Sequence, residues 1–363
     1  GNMLELFISP GKYVSGYDNI DKLGQEVEKL GKKPMVLFDK NIEKIIDKGL
    51  NSLKNKFDVE ITYFEGECCF EEIKRITDLI IDKKCDVIVG LGGGKTMDTA
   101  KAAGYDANVK IVTVPTIAAT CACWASHSAV YTKEGIAHSY YSIYKNADLV
   151  FMDKKITSEA PVRYIISGMV DTLAKWIETK AFTGPIKDKN VELEIAILLA
   201  QKCYREILEF GEKAINDVKN GIYSKEVDMM LEHNILTAGL IGGIGGEACR
   251  AVAAHAFNNG LTALPEIYNR NLHGEVVGFG NLIQLILDGD VEEARKIAKF
   301  YKAIGAPATL EDLGFVGLDE EKLEKIINKA MYKGDTMWNL PYEFNFDLIK
   351  KVIVEANSLL RGE

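Results

Sequence analysis

The side chains best suited to binding a metal lie in the second half of the sequence. Asp171 sits in a mostly apolar stretch, His255 is surrounded by alanines, and His273 opens a His-Gly-Glu segment. A carboxylate and two imidazoles make a three-ligand site with an open position, the pattern of a catalytic metal. Spacing alone does not show that the three meet, and a single histidine on an apolar helix is more often a hydrogen-bonded core residue. His138 and His233 lack comparable surroundings and are interpreted as structural.

A glycine cluster in the first half predicts a phosphate-binding loop. Residues 88–96 read Ile-Val-Gly-Leu-Gly-Gly-Gly-Lys-Thr, between an apolar run and a helical pattern. Glycines let backbone N–H groups approach a phosphate, and the start of a helix adds partial positive charge. The segment misses the Walker A pattern because position 89 is valine, and the common dinucleotide fingerprint because position 95 is lysine. A tight turn without a ligand is the alternative, but the glycines exceed what a turn needs.

Asp39 ends another apolar run and offers a second contact to a dinucleotide. Its carboxylate can accept hydrogen bonds from ribose hydroxyls and repel a 2′-phosphate, which favours NAD over NADP. A helix N-cap accounts for the same residue equally well. Asp98 lies in the first turn after the glycines, where it can complement the helix dipole.

The elements that position these residues change in type near residue 150. Short apolar runs predict strands at residues 33–39, 59–64, 86–91, 110–114 and 148–153, and amphipathic segments predict helices at 18–30, 41–56, 70–83 and 97–105. This alternation predicts a doubly wound parallel sheet. Residues 126–132 and 136–144 predict a β-hairpin around Lys133, Glu134 and Gly135.

From Pro161 onward the sequence predicts helices alone. Helical periodicity covers residues 162–182, 191–209, 227–241, 247–264, 274–287, 291–304 and 348–359, and Asp290 is a predicted N-cap. The sequence therefore predicts a Rossmann-like α/β domain over residues 1–160 and an all-α metal-binding domain over residues 161–363.

Composition limits the possible partners. The 363 residues carry a net charge of −9 without a basic stripe, which argues against nucleic acid. The sequence contains no run of about 18 apolar residues, so no membrane span is predicted. The seven scattered cysteines form neither a disulfide framework nor a structural zinc pattern, so we expect a soluble protein of the reducing cytoplasm.

Several motifs together resemble the iron-containing (group III) alcohol dehydrogenases, and within them the glycerol dehydrogenase branch. They are the glycine segment at residues 92–101, Pro-Thr-Ile-Ala-Ala-Thr at 115–120, Ser-Pro-Gly-Lys-Tyr at 9–13, Asn-Gly-Leu-Thr-Ala at 259–263 and His-Gly-Glu at 273–275. The resemblance covers essentially the whole chain. It implies an active site in a cleft between the two domains, with NAD and a divalent metal, zinc or iron, acting on the CH–OH group of a small alcohol or polyol. We also expect a homo-oligomer.

The resemblance also implies roles for individual residues. Asp171, His255 and His273 become the metal ligands, and His255 also faces the substrate. The implied cofactor contacts are Asp39, Gly92, Gly93, Gly94, Lys95, Thr96, Thr116, Ala119 and Tyr131.

One departure concerns the substrate. Glycerol dehydrogenases carry an aspartate that contacts the polyol where this chain has Cys121, and a neutral thiol does not replace a carboxylate acceptor. Glycerol as the physiological substrate is therefore in doubt. His127 is either a proton relay or a surface histidine, and Glu247 departs from the branch pattern without an assignable role.

Three alternatives stay open at this point. A phosphorylated-polyol dehydrogenase needs a cationic pocket, to which Arg250 and Arg270 are possible contributors. A lyase related to dehydroquinate synthase would use NAD and zinc without net NADH formation. An NAD-binding protein that has lost catalysis through the Cys121 region is the non-enzymatic reading.

Overall fold

The computed structural model describes residues 7–244 and 251–362, which divide into two compact units. The first unit is Ile8–Pro161, and the second contains Phe7 and the described residues from Val162 onward. Glu247 and Arg250 lie outside the described residues, as does the start of the helix predicted at 247–264.

The first unit is built on a six-stranded sheet in which every strand pairing is parallel. Its strands are β1 (Tyr13–Gly16), β2 (Pro34–Phe38), β3 (Glu60–Tyr63), β4 (Val87–Gly92), β5 (Lys110–Pro115) and β8 (Leu149–Asp153). Its helices are α1 (Leu23–Val27), α2 (Asp47–Lys56), α3 (Phe70–Asp82), α4 (Gly94–Asp106) and α5 (Lys154–Glu159). The sheet order is β1-β8-β5-β4-β2-β3, which confirms the predicted doubly wound class.

The burial of the strands explains which of them the sequence revealed. Every residue of β2, β4 and β8 is buried, so these strands are apolar on both faces, as covered parallel strands must be. The edge strand β1 was not predicted, because Tyr-Val-Ser-Gly is short and only partly buried. The chain leaves β2 for β3 on one side and β4 lies on the other, so the topological switch point falls at the carboxyl ends of β2 and β4.

Two helical predictions in this unit were too long. The segment predicted at 18–30 contains a 3-10 turn, Ile20–Lys22, followed by the short α1. The segment predicted at 41–56 starts with another 3-10 turn, Lys40–Ile42, and α2 begins at Asp47. Asp39 accepts a hydrogen bond from the N–H of Asn41 at 2.8 Å, which caps the tight turn.

The predicted hairpin is present as a separate two-stranded antiparallel sheet. It consists of β6 (His127–Tyr131) and β7 (Ala137–Ser142). Gly135 occupies the turn with a φ of +83°, a backbone conformation that glycine adopts without steric cost.

The second unit is helical in its described part, apart from one isolated bridge between Phe7 and Ile244. Its helices are α6 (Val162–Thr183), α7 (Val191–Lys219), α8 (Lys225–Glu232), α9 (Ala238–Gly243), α10 (Ala253–Leu261), α11 (Pro265–Tyr268), α12 (His273–Leu287), α13 (Val291–Ile304), α14 (Glu320–Ala330) and α15 (Phe346–Asn357). A π-helical turn, His233–Thr237, interrupts the helix predicted at 227–241. Asp290 caps α13 as predicted by accepting the N–H of Glu293.

Helix α12 lies at the centre of this unit. Its residues from Gly274 to Ile286 are all buried, and its neighbours include α6 and α10. Ala174, Ala254 and Val277 form a small core cluster where these three helices meet. Within the described residues, no helix combines the length and apolar character that a bilayer crossing requires.

Candidate active site

Three packed helices bring the predicted metal ligands together. Asp171 lies on α6, His255 on α10, and His273 is the first residue of α12. One ligand atom from each lies within 4.8 Å of the other two. Nε2 of His273 is 3.9 Å from Oδ1 of Asp171, and the two imidazole centroids are 5.6 Å apart. All three side chains are partly exposed, so the cluster has an open side.

Glycines on α12 allow the close approach that creates this cluster. A Cβ at Gly274 would overlap the backbone carbonyl of Ser167 on α6. A Cβ at Gly280 would lie 2.6 Å from the carbonyl oxygen of Ala254 on α10. Real Cβ atoms do not come so close, so larger residues at these positions would force the helices apart. The ligand geometry therefore depends on residues that bind nothing themselves.

Glu178 contacts this cluster and was not predicted from the sequence. Its Oε1 is 2.5 Å from Nδ1 of His255, and its Oε2 accepts the N–H of Val252 at 2.5 Å. The carboxylate thus caps the start of α10 and fixes the orientation of the imidazole. Because Nδ1 is bound to Glu178, Nε2 is the ring nitrogen that remains to bind a metal. Glu178 lies two helical turns after Asp171, on the same side of α6, and this spacing was the available signal.

Burial and charge act in opposite directions on these groups. Burial lowers the pKa of His255, but the charge of Glu178 and its hydrogen bond outweigh burial, and the net pKa is raised. Burial alone would raise the pKa of Glu178, yet the same pairing and the backbone N–H groups lower it. Burial dominates at His273 and lowers its pKa, which favours the neutral imidazole that can coordinate a metal.

An ion pair fixes the chain just before His273. The guanidinium of Arg163 contacts both carboxylate oxygens of Glu275, at 2.6 and 3.0 Å, and donates to the carbonyl of Arg270 at 3.1 Å. Glu275 in turn accepts the N–H of Leu272 at 2.9 Å. The first turn of α12, which carries His273, is therefore held against the start of α6.

The donor set fits a divalent metal. In a tetrahedral site with bonds of about 2.1 Å, the ligand atoms lie about 3.4 Å apart. The ligand atoms of the three side chains lie within 4.8 Å of one another, a difference that small side-chain rotations can remove. Two imidazole nitrogens and one carboxylate oxygen suit zinc or iron. Oδ1 of Asp171 faces Nε2 of His273 at 3.9 Å, beyond hydrogen-bond distance, which leaves room for a metal ion between the two.

In the first unit, the glycine loop (Gly92, Gly93 and Gly94) joins β4 to α4 at the switch point. Gly92 has a φ of +155°, and a Cβ there would lie 3.1 Å from the Thr96 side chain. Gly93 is the N-cap of α4, and among the described residues no side chain caps this helix. The first N–H groups of α4 therefore have no capping side chain from the described chain, and the glycines before them have no side chains that would block a phosphate from approaching.

The segment after β5 lies directly beside the glycine loop. The N–H of Thr116 donates to the carbonyl of Gly92 at 3.0 Å. A Cβ on Gly93 would lie 3.1 Å from Ile117, and one on Gly94 would lie 3.9 Å from Oγ1 of Thr120. Thr116 and Ala119 are buried in this segment. The structure thus places Thr116 next to the glycines, and Ala119 is buried in the same segment.

Lys95 and Tyr131 also lie together. Nζ of Lys95 is 4.6 Å from the centroid of the Tyr131 ring and 2.8 Å from Oε2 of Glu67. Glu67 was not identified from the sequence, since it lies in the unpatterned segment before α3. Asp39 is at the carboxyl end of β2, at the switch point, where it caps the turn described above.

The remaining candidates occupy different surroundings. Cys121 is half-buried in the turn after Thr120. His127 is exposed at the start of β6, and its ring contacts the Tyr140 ring edge-on at 5.4 Å. His138 is also exposed, whereas His233 is buried with Nδ1 2.9 Å from Oγ1 of Thr237. Arg270 lies on the surface.

The chain is similar to known proteins in both sequence and structure. The model of the iron-containing alcohol dehydrogenase family matches residues 10–154. A glycerol dehydrogenase of Thermotoga maritima is 36% identical over 344 residues, covering 93% of each chain. A glycolaldehyde reductase of Halobacterium salinarum is 30% identical over 99% of each chain. The crystal structure of a probable glycerol dehydrogenase from Sinorhizobium meliloti 1021 matches with a TM-score of 0.90 at 30% identity, covering 99% of this chain and 100% of that chain.

Proposed function

Since this chain belongs to the iron-containing alcohol dehydrogenase family, we propose that Asp171, His255 and His273 hold the metal at which it oxidises a small polyol. The chain is an NAD-dependent, divalent-metal-dependent oxidoreductase that acts on the CH–OH group of a small alcohol or polyol. The observation that carries the residue assignment is the convergence of one carboxylate and two imidazoles from three helices. We propose zinc as the metal, with iron as the other ion that this donor set accepts.

When bound, the metal supplies Lewis-acid polarisation of the substrate hydroxyl, and NAD supplies the hydride acceptor. The side chains of this unit have the task of holding the ligand atoms in place. Glu178 keeps the His255 ring in one orientation, and Arg163 with Glu275 holds the helix start that carries His273. Such neighbours of ligands typically change metal affinity by about 10–100-fold when removed.

In the first unit, the backbone N–H groups around the glycine loop are proposed to bind the pyrophosphate of NAD. Lys95, Thr96, Thr116, Ala119 and Tyr131 are the proposed neighbours of the cofactor. The carboxylate of Asp39 is proposed to accept the ribose hydroxyls, and its charge would oppose the 2′-phosphate of NADP. Its bond to the N–H of Asn41 involves Oδ1, so the second oxygen can serve this contact.

The substrate is proposed to be a small diol or polyol that is recognised without a carboxylate at position 121. The relatives include proteins named glycerol dehydrogenase and glycolaldehyde reductase, so two- and three-carbon hydroxy compounds define the size class. Cys121 offers a thiol instead of a charged acceptor, which weakens binding of a compound with many hydroxyls more than that of a diol. We therefore propose that a diol carrying an apolar end, such as 1,2-propanediol, is preferred over glycerol.

Three further expectations belong to the proposal. We propose a cytoplasmic location, because the cysteines are scattered along the sequence and the six described ones are thiols that form no disulfide with one another. We also propose a homo-oligomer and no nucleic-acid partner, the latter because the net charge is −9.

The test is NAD reduction, followed by absorbance at 340 nm, with ethylene glycol, 1,2-propanediol, glycerol and glycerol phosphates. Each substrate is tried on the purified protein, after chelation, and after zinc or iron is returned. We expect NADH formation that chelation abolishes and one of the metals restores, with 1,2-propanediol giving a higher kcat/KM than glycerol. The absence of NADH with every substrate in the metal-loaded protein would refute the activity. A higher kcat/KM for glycerol would refute the substrate preference alone.

A further inference from the structure

Helix α4 contains a buried lysine that the proposed function does not use. The side chain of Lys101 is 0% exposed. Its Nζ donates to the carbonyl oxygens of Ala122 at 2.6 Å, Ala125 at 2.9 Å and His127 at 2.7 Å. An ammonium has three N–H donors, so all of them bind the backbone of one short segment, residues 121–127, which we call the 121–127 turn.

A carboxylate one helical turn earlier supplies the opposite charge. Oδ1 of Asp98 is 3.0 Å from Nζ of Lys101, and Oδ2 of Asp98 accepts the N–H of Ala129 at 3.2 Å. The backbone carbonyl of Asp98 accepts the hydroxyl of Ser128 at 2.7 Å. Burial of this ion pair costs desolvation free energy, which a neutral hydrogen-bonding side chain at the same position would avoid. The pair therefore points to a segment whose position matters.

The remaining carbonyls of the 121–127 turn are bound as well. Thr113 donates its hydroxyl to the carbonyl of Cys123 at 2.8 Å, and Asn146 donates to that of Trp124 at 2.6 Å. The N–H of Ile143 donates to the carbonyl of Ser126 at 3.1 Å, and two N–H groups within the turn donate to that of Cys121. Every carbonyl from 121 to 127 thus has a donor. The turn is held on all sides, and Lys101 provides three of the bonds.

The same helix positions the glycine loop. A Cβ on Gly94, the first residue of α4, would lie 3.8 Å from Cβ of Ala122 and 3.9 Å from Oγ1 of Thr120. The beginning of α4 therefore contacts the start of the turn, while Lys101, seven residues later, holds the rest of it. One rigid helix sets the distance between the cofactor loop and the side chain of Cys121.

We propose that Lys101, balanced by Asp98, is a positioning residue for substrate selectivity. It fixes the 121–127 turn against α4 and so determines where Cys121 meets the substrate. This inference rests on the proposed function, because Cys121 acts on selectivity only if it lies beside the bound polyol. The glycine loop is formed by backbone geometry and does not need Lys101, so the effect falls on substrate and not on NAD.

The test uses the double variant Lys101→Met/Asp98→Asn, which removes both charges and leaves no orphaned carboxylate. The matched control is Asp153→Asn. Asp153 is a buried carboxylate of the same unit that accepts the N–H groups of Asp18, Ile20 and Lys155, which do not belong to the turn. Unfolding temperature is recorded for each protein, so that a shared loss of stability is separated from a change at the turn.

Two readouts decide the proposal. The first is the reaction of Cys121 with a thiol reagent, with the Cys121→Ser form of each protein subtracted as background; we expect the double variant to react about tenfold faster, because the turn opens locally. The second is steady-state kinetics with the best diol. We expect KM for the diol to rise about tenfold, with kcat changed less than about threefold and NAD affinity unchanged.

Equal labelling rates in the double variant and Asp153→Asn would overturn the anchoring role. Faster labelling with an unchanged KM would overturn the selectivity role. Should the unmodified protein reduce no NAD with any polyol, the proposed function fails, yet the labelling comparison still decides whether Lys101 holds the turn.

Discussion

The glycine loop and the proposed metal cluster, which consists of Asp171, His255 and His273, are assembled by different means. Gly92, Gly93 and Gly94 form one continuous strand-to-helix turn, and the loop offers backbone N–H groups. The metal cluster draws single side chains from three helices, and its geometry depends on how closely α12 approaches α6 and α10. A local backbone feature tolerates changes elsewhere in its unit, whereas a cluster made by helix packing does not.

The difference predicts where mutations act. In the helical unit, residues that touch no ligand, such as Gly274 and Gly280, also limit the site, because an added Cβ at either position would push α12 away from its neighbours. In the α/β unit, side chains around the loop adjust affinity through charge but do not create the binding surface. Removal of a proposed ligand should therefore abolish activity, and removal of a charge near the glycine loop should only modulate it.

The largest effect is expected for His255→Ala. Loss of one of three proposed ligands should lower kcat/KM by at least about 10³-fold, or about 4 kcal/mol of transition-state stabilisation. Metal content, measured by atomic emission, should fall in parallel, while NAD affinity stays unchanged. His138→Ala is the matched control, since this histidine is exposed on the hairpin. Substantial turnover by His255→Ala with metal still bound would contradict the ligand assignment.

The next largest effect is expected for Gly274→Ala. The added Cβ meets the Ser167 carbonyl, so α12 must shift, at a cost of about 1–3 kcal/mol in unfolding free energy. Displacement of His273 should lower metal affinity and reduce kcat by about tenfold or more.

The control for that variant is Gly289→Ala, just beyond the other end of α12. Gly289 has a φ of +82° with open space around it, so alanine costs backbone strain without touching a neighbour. Both variants lose stability, but only Gly274→Ala should lose metal affinity. Equal metal affinity in the two, measured by competition with a chromogenic chelator, would show that helix approach does not limit the cluster.

A smaller effect is expected for Glu178→Gln. The amide keeps the size of the side chain but loses the charge that orients His255, so metal affinity should fall by about 10–100-fold, equivalent to about 1.4–2.8 kcal/mol. Glu206→Gln offers a matched comparison, because Glu206 lies 3.4 Å from Nε2 of the buried His233 in the same unit. That substitution should alter stability but not metal affinity; equal losses of metal in both variants would assign Glu178 a purely structural role.

The same contrast explains what could be predicted from sequence. Strand-helix alternation and the glycine segment are local patterns, so the sheet and the loop were both recognisable, although the short edge strand β1 was not. The proximity of Asp171, His255 and His273 came from a resemblance, since their spacing carries no distance information. Glu178 was missed because a carboxylate on an apolar helix has no local signature of its partner. Lys101 was likewise missed, because its three acceptors are backbone carbonyls that no side-chain motif records.

The smallest effect is expected where charge only modulates the glycine loop. Glu67 balances the charge of Lys95, whose side chain is 43% exposed, so solvent screens this ion pair. Lys95→Met leaves the carboxylate beside the loop and should weaken NAD binding about three- to tenfold, because a phosphate is then repelled. Glu67→Gln leaves the ammonium and should strengthen binding about twofold. The double variant should return close to the original affinity. All differences in affinity should shrink to about half or less in 0.5 M salt, since added ions screen exposed charges.

The control is Lys110→Met, which removes an exposed lysine at the start of β5, the end of that strand opposite the glycine loop. This variant should leave NAD affinity unchanged. If NAD titration followed by fluorescence gave the double variant the full loss seen for Lys95→Met, Lys95 would contribute by direct contact and not by balance of charge, and the loop would depend on a side chain as the metal cluster does.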